Sequence, residues 1–153
     1  MAVYYPKNVL VISLFLLYVV QGIEAIPKKS PSAKLLPGFV SFAHGVRSGN
    51  VIIKDTRTIL IKSLYYDGAG PDAYFWVGTG SKPHAGGRKI PNEQGSMDVL
   101  TGYVGQDVEL ILPADLTVND IDWLSMWCVA FKENFGHVMI PKGLDVPEAL
   151  DLE

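Results

Sequence analysis

Apolar residues in this chain recur in short runs and at two-residue spacing, not at helical spacing. "NVIIKD" (50–55) and "RTILIKSLYY" (57–66) are β-branched runs parted by a polar Lys54-Asp55-Thr56 turn, the pattern of a hairpin. "AYFWVG" (73–78), "VELILP" (108–113), "DWLSMWCVAF" (122–131) and "FGHVMIP" (135–141) read as further strands, and "GFVSFAHGV" (38–46) supplies another. Turn-forming Gly, Pro, Asn and Asp separate these runs at roughly ten-residue intervals, which predicts an all-β fold. The expected architecture is an antiparallel β-sandwich of about seven to nine short strands, with a small barrel as the alternative. No long segment carries a 3.6-residue period; "LTVNDID" (116–122) is expected to make one helical turn ahead of a strand.

The run around Trp127 is informative because neither parity is polar. Trp123, Ser125, Trp127, Val129 and Phe131 point one way; Leu124, Met126, Cys128 and Ala130 point the other. A half-covered strand alternates apolar with polar. This strand is therefore expected to be central and covered on both faces, or to line a groove with one of them.

The two ends read differently from the middle. Lys7, the apolar run Val9–Val20 and small Ala25 before Ile26 have the layout of a secretory signal over residues 1–25. The run is short for a membrane span of about twenty residues. An uncleaved anchor is the alternative, because Ile23 is large for its place before the cut. Residues 26–37, "IPKKSPSAKLLP", read as a tether, and the acidic "KGLDVPEALDLE" (142–153) as a loosely held tail. The domain between them is expected to span 38–141.

A formal charge of −3 and the lack of a basic stripe argue against nucleic acid as a partner. Cys128 is the only cysteine, so no disulfide can form within the chain, although export would place it in an oxidising compartment. Its neighbours Met126, Trp127 and Val129 suit a buried, inert thiol; pairing with another chain or redox use are the alternatives. His44, His84 and His137 have no zinc spacing, and His44 and His137 fall in predicted strands. Asp67 and Asp72 do not match a calcium loop. The Gly-rich 78–87 precedes no helix that could aim a dipole at a phosphate, so it reads as a mobile loop. No hydrolytic motif is present, and no catalytic residue, metal or cofactor is expected.

The stretch "YYDGAGPDAYFWVG" (65–78) sets five aromatic rings around a polar loop. As a hairpin, it buries about half of the rings by alternation. As a site, Tyr65, Tyr66, Tyr74 and Trp76 stack on a flat partner such as a sugar while Asp67 and Asp72 bond its hydroxyls. The two readings are compatible.

"HGVRSGNVIIKDTRTILIKSLYYDGAGPDAYFWVG", "IPNEQG" and "DIDWLSMWCVAFKENFGHVMIP", in this order and spacing, resemble the extracellular domain shared by Skeletor and Knickkopf proteins, the DM thirteen domain. The resemblance runs from about Gly38 to Pro141. It implies an exported β-domain, often joined to DOMON or cytochrome-type modules, with Knickkopf-like members organising cuticle chitin. It also implies a redox role for the cysteine of the Trp-Cys motif, which is Cys128 here. Val129 and Ala130 follow that cysteine where family members often carry basic residues, and no DOMON segment accompanies the domain.

The function expected is a secreted, non-enzymatic module that binds extracellular-matrix polysaccharide or matrix protein, without stable membrane insertion. The alternative is a redox module that uses Cys128 with a DOMON or cytochrome-type partner. A metal-dependent hydrolase or oxygenase lacks a ligand set.

Overall fold

Val51–Ile53 (β3) and Thr58–Tyr66 (β4) pair antiparallel across the Lys54–Arg57 turn, as their β-branched pattern predicts. The computed structural model describes Met1 and residues 28–150, so the expected signal segment lies outside the described residues apart from Met1. The other strands are β1 (Lys34–Leu36), β2 (Val40–Ser41), β5 (Ala73–Gly78), β6 (Arg88–Lys89), β7 (Tyr103–Ile111), β8 (Trp123–Cys128) and β9 (Glu133–Met139). Sheet I has the order β1-β3-β4-β7 and sheet II the order β2-β9-β8-β5-β6. Among the described residues all pairings are antiparallel, and nine strands form a β-sandwich. A single 3₁₀ turn at Val118–Asp120 precedes β8, where the helical turn was expected. Among the described residues no helix is long and apolar enough to cross a membrane.

Inward-facing Ile53, Ile59, Ile61, Val108 and Leu110 of sheet I meet Phe75, Val77, Leu124, Met126, Phe135 and Val138 of sheet II. Every side chain of β8 is buried, so this strand is central and covered on both faces. Leu124, Met126 and Cys128 join the sandwich core, while Trp123, Ser125 and Trp127 face outward under a second cover.

Several expectations are corrected. Residues 65–78 do not form a hairpin: β4 belongs to sheet I and β5 to sheet II, so the 67–72 loop carries the chain across the sandwich. The tether of 26–37 ends in a strand, because Leu36 is buried and Lys34–Leu36 pairs with Ile53–Val51. His44 is not in a strand; it sits in a turn with φ +53°. The acidic tail is not loose. Val146 is buried, the Thr56 N–H donates to the Pro147 carbonyl (2.9 Å), and the Ala149 N–H donates to Thr56 Oγ1 (2.9 Å).

Ending the chain at Gly143 removes Val146 and these two bonds. It is expected to cost about 1.5–3 kcal/mol, the value of burying one such side chain. A denaturant melt checks this, and an unchanged midpoint would show that the tail contributes nothing.

Candidate functional site

The outer face of sheet II is built by register. Trp76 lies opposite Ser125, Ser125 opposite His137, and His137 opposite Val40, so their side chains leave the sheet on one side. Lys89 of β6 pairs with Trp76 on the other flank. The next row places Tyr74 beside Trp127 and Asn134, and a third places Gly78 beside Trp123 and Met139. A bulge in β9 turns both Phe135 and Gly136 inward and thereby keeps Asn134 and His137 on the outer face.

One end of this face is closed by the Gly-rich segment 79–87. The Trp76 indole N–H donates to the His84 carbonyl and the Trp123 indole N–H to the Thr79 carbonyl, both at 3.2 Å. The His84 ring stands edge-on to Trp123, with centroids 5.6 Å apart. Glycine is required at 87 because a Cβ there would lie 2.3 Å from Trp76 Nε1. The segment expected to be a mobile loop is therefore an ordered cover, and its glycines serve close packing on indole rings.

The rest of the face is open. Tyr74 and Trp76 are half-buried, and Phe42 is exposed. The Lys89 ammonium lies over the Tyr74 ring, 3.2 Å from its centroid. The nearby Asp72 carboxylate, then burial, pushes the Tyr74 phenol above its ordinary range. Phe42 stacks on His137 with rings 2° from parallel and centroids 5.6 Å apart. Phe42 and Ala43 both donate their N–H to the Phe135 carbonyl, which pins this ring over β9. Ser125 Oγ donates to Asn134 Oδ1 (2.9 Å), and Asn134 Nδ2 lies 2.9 Å from His137 Nδ1. Burial holds His137 below the usual imidazole range.

Tyr65 and Asp67 lie elsewhere, at the end of the sandwich. They border a recess of about 220 Å³ that also includes His44, Arg47 and Val104. His44 Nδ1 is 3.2 Å from both Asp67 carboxylate oxygens, and the Arg47 guanidinium lies 3.9 Å from the Tyr65 ring centroid. The expected ring-and-carboxylate site is thus split: Asp72, Tyr74 and Trp76 go to the outer face, Tyr65 and Asp67 to the end recess.

Tyr66 borders the end recess only from beneath. Its ring is buried and its hydroxyl accepts the Gly70 N–H at 2.9 Å, so it is a core residue. Burial, with a smaller contribution from the Asp67 carboxylate, pushes the Tyr66 phenol up. Cys128 is free and 0% exposed, opposite Ala73 in the β5–β8 ladder. Among the described residues, no three His, Cys, Asp or Glu side chains converge on a metal-sized site.

Phe42, Lys89, Trp127, Asn134 and His137 were missed as members of the outer face. The signal for Trp127 was present: it shares the parity of Ser125, the one polar residue in the middle of β8. Nothing local marked Phe42, which reaches the face only through the β2–β9 pairing.

The family model described as "Electron transfer DM13" matches residues 38–140, from just before β2 through β9. The chain belongs to the DM13 family. This DM13 domain is 46% identical over 109 residues to two Drosophila melanogaster proteins, Protein Skeletor isoforms B/C and Protein Skeletor isoforms D/E. The shared stretch is 71% of this chain but only 14% and 7% of those relatives. No solved structure matches. Strand β1 and the docked tail lie outside the DM13 match.

Proposed function

We propose that this DM13 domain is a secreted, non-enzymatic binding module that holds an extracellular-matrix polysaccharide, with chitin as the first candidate, on the outer face of sheet II. The reading rests on one observation: Tyr74, Trp76, His137 and Phe42 lie on the same side of sheet II, with polar Asn134 and Lys89 between them and Ser125 buried beneath, where it holds Asn134. Ring faces stack on the C–H faces of sugars, and the interspersed polar groups suit hydroxyls. Lys89 is half-buried and rests on the Tyr74 ring, so a ligand that stacks on Tyr74 takes the place of the ammonium.

Pull-down on chitin beads tests this. Tyr74→Ala and Trp76→Ala are each expected to lower retention about tenfold, the effect of losing roughly 1.4 kcal/mol of ring contact. Retention equal to wild type, with circular dichroism unchanged, would remove these residues from any sugar site.

A second reading is redox use of Cys128, supported by the free thiol and by the family description as an electron-transfer domain. A disulfide with a partner requires sulfur–sulfur contact, which the burial of Cys128 opposes. Electron exchange with a DOMON or cytochrome-type partner does not require that contact.

A further inference from the structure

Asn134 is held by three hydrogen bonds whose donors and acceptors are determined by chemistry. The Gly136 N–H lies 3.1 Å from Asn134 Oδ1, and a backbone N–H needs an oxygen there, so the amide has one orientation. The Ser125 hydroxyl donates to the same oxygen. The amide NH₂ then faces His137 Nδ1 at 2.9 Å. A donor aimed at a ring nitrogen requires a lone pair, so His137 is neutral and carries its proton on Nε2.

Among the described residues, His137 Nε2 has no hydrogen-bond partner, and no buried polar side-chain atom lacks one. Its N–H therefore opens to the surface. It does so in the row shared with Trp76 and against the ring of Phe42, a single donor between two aromatic surfaces.

We propose that His137 is a binding residue of this face, a neutral imidazole that donates its Nε2–H to an acceptor oxygen of an uncharged, hydroxyl- or acetamide-bearing polysaccharide and is unhooked by acid. The ligand role rests on the polysaccharide-binding reading; the proton assignment does not. An uncharged ligand follows from the surroundings of the ring. The groups facing it are Val40 of β2, Phe42 just beyond, Ser125 of β8, and Asn134 and Met139 of β9, and none ionises. Glu133, the other ionisable group of β9, pairs with Cys128 and so has the opposite parity.

Protonation would place an N–H on Nδ1, donor against donor with Asn134. The amide cannot turn to meet it, because the Gly136 N–H already occupies its oxygen. Acid therefore breaks the Asn134–His137 link and frees the ring that supports Phe42. Burial makes the folded pKa lower than the unfolded value of about 6.5, so the native state binds fewer protons. Stability from this group is complete above about pH 6.5 and is lost as pH falls from there through the lowered folded value.

Nitrogen-detected NMR of the full chain at pH 7.5 is expected to place the His137 proton on Nε2; a proton on Nδ1 would overturn the inference. On chitin beads, wild type should lose retention as pH falls from 7.5 to 5. His137→Gln keeps an N–H near the Nε2 position without titrating, and its retention should be flat with pH. His137→Phe keeps a stacked ring but no donor, and should be retained about three- to tenfold less at pH 7.5, the effect of one net hydrogen bond. Equal retention of His137→Phe and wild type overturns the ligand role of His137 while the binding reading stands. Wild type unretained at every pH overturns the binding reading, and this ligand role with it.

Discussion

Trp123→Ala is expected to destabilise the domain by about 3–5 kcal/mol, the cost of deleting a fully buried indole. The size of the effect is unusual for an outward-facing residue of a sheet, and it follows from the cover over it. Trp123 is 0% exposed although it lies outside the sandwich core. Gly78 and Gly87 lie against its ring, the His84 ring meets its plane edge-on, and the Thr79 carbonyl accepts its indole N–H. Alanine removes the surface on which segment 79–87 rests and one of the two partners of that carbonyl, the other being His84 Nε2 at 3.1 Å. Urea unfolding measures the loss as a lowered midpoint at constant slope. A loss below about 1 kcal/mol, typical of surface substitutions, would mean that the segment does not seal the ring.

Cys128 in the folded chain is expected to react with a thiol reagent at least about 10³-fold more slowly than in the unfolded chain. A fully enclosed sulfur reacts only through opening, and openings that expose a core strand approach the free energy of global unfolding, about 5–15 kcal/mol. Cys128 lies on such a strand, on the side of Leu124 and Met126. Labelling kinetics with and without denaturant give the ratio. Comparable rates in the two conditions would place the thiol at the surface and restore disulfide exchange as its chemistry. Strong protection leaves electron exchange as the redox route still open and favours the packing role of a small apolar side chain.

These two results bear on different parts of the sequence reading. That Cys128 is enclosed could be seen in the run 122–131, because residues of both parities are apolar and no polar side chain other than Ser125 breaks the middle of the strand. That Trp123 is enclosed was half visible: both faces needed cover, but the cover proved to be a segment whose glycines look like a free loop. Glycine signals backbone freedom and close approach with the same letter. Only the indole rings beside it distinguish the two.

The split of the aromatic stretch 65–78 shows the same limit at a turn. Asp67–Asp72 has every residue of a tight reversal, and a reversal within one sheet looks locally like a crossing between two. The partners of β4 and β5 decide, and they come from β3, β7, β6 and β8. Within β4, strict alternation from Ile59 and Ile61 would turn Tyr65 inward and Tyr66 outward. A bulge between Ile61 and Leu64, with Ser63 at φ +48° and its N–H on Asp107, reverses this. Tyr66 enters the core and Tyr65 faces the recess.

By itself, then, the sequence determined the all-β class, the β3–β4 hairpin and a helical turn before β8, and it narrowed β8 to a strand covered on both faces or lining a groove. These depend on spacing between near neighbours, and near-neighbour spacing is what alternation and turn chemistry record. The tertiary structure alone decided which rings share a face, where the chain crosses between sheets, and that residues 34–36 and 146–149 dock. Each of those depends on pairing between segments far apart in the chain, where burial free energy is gained only once the whole sandwich closes.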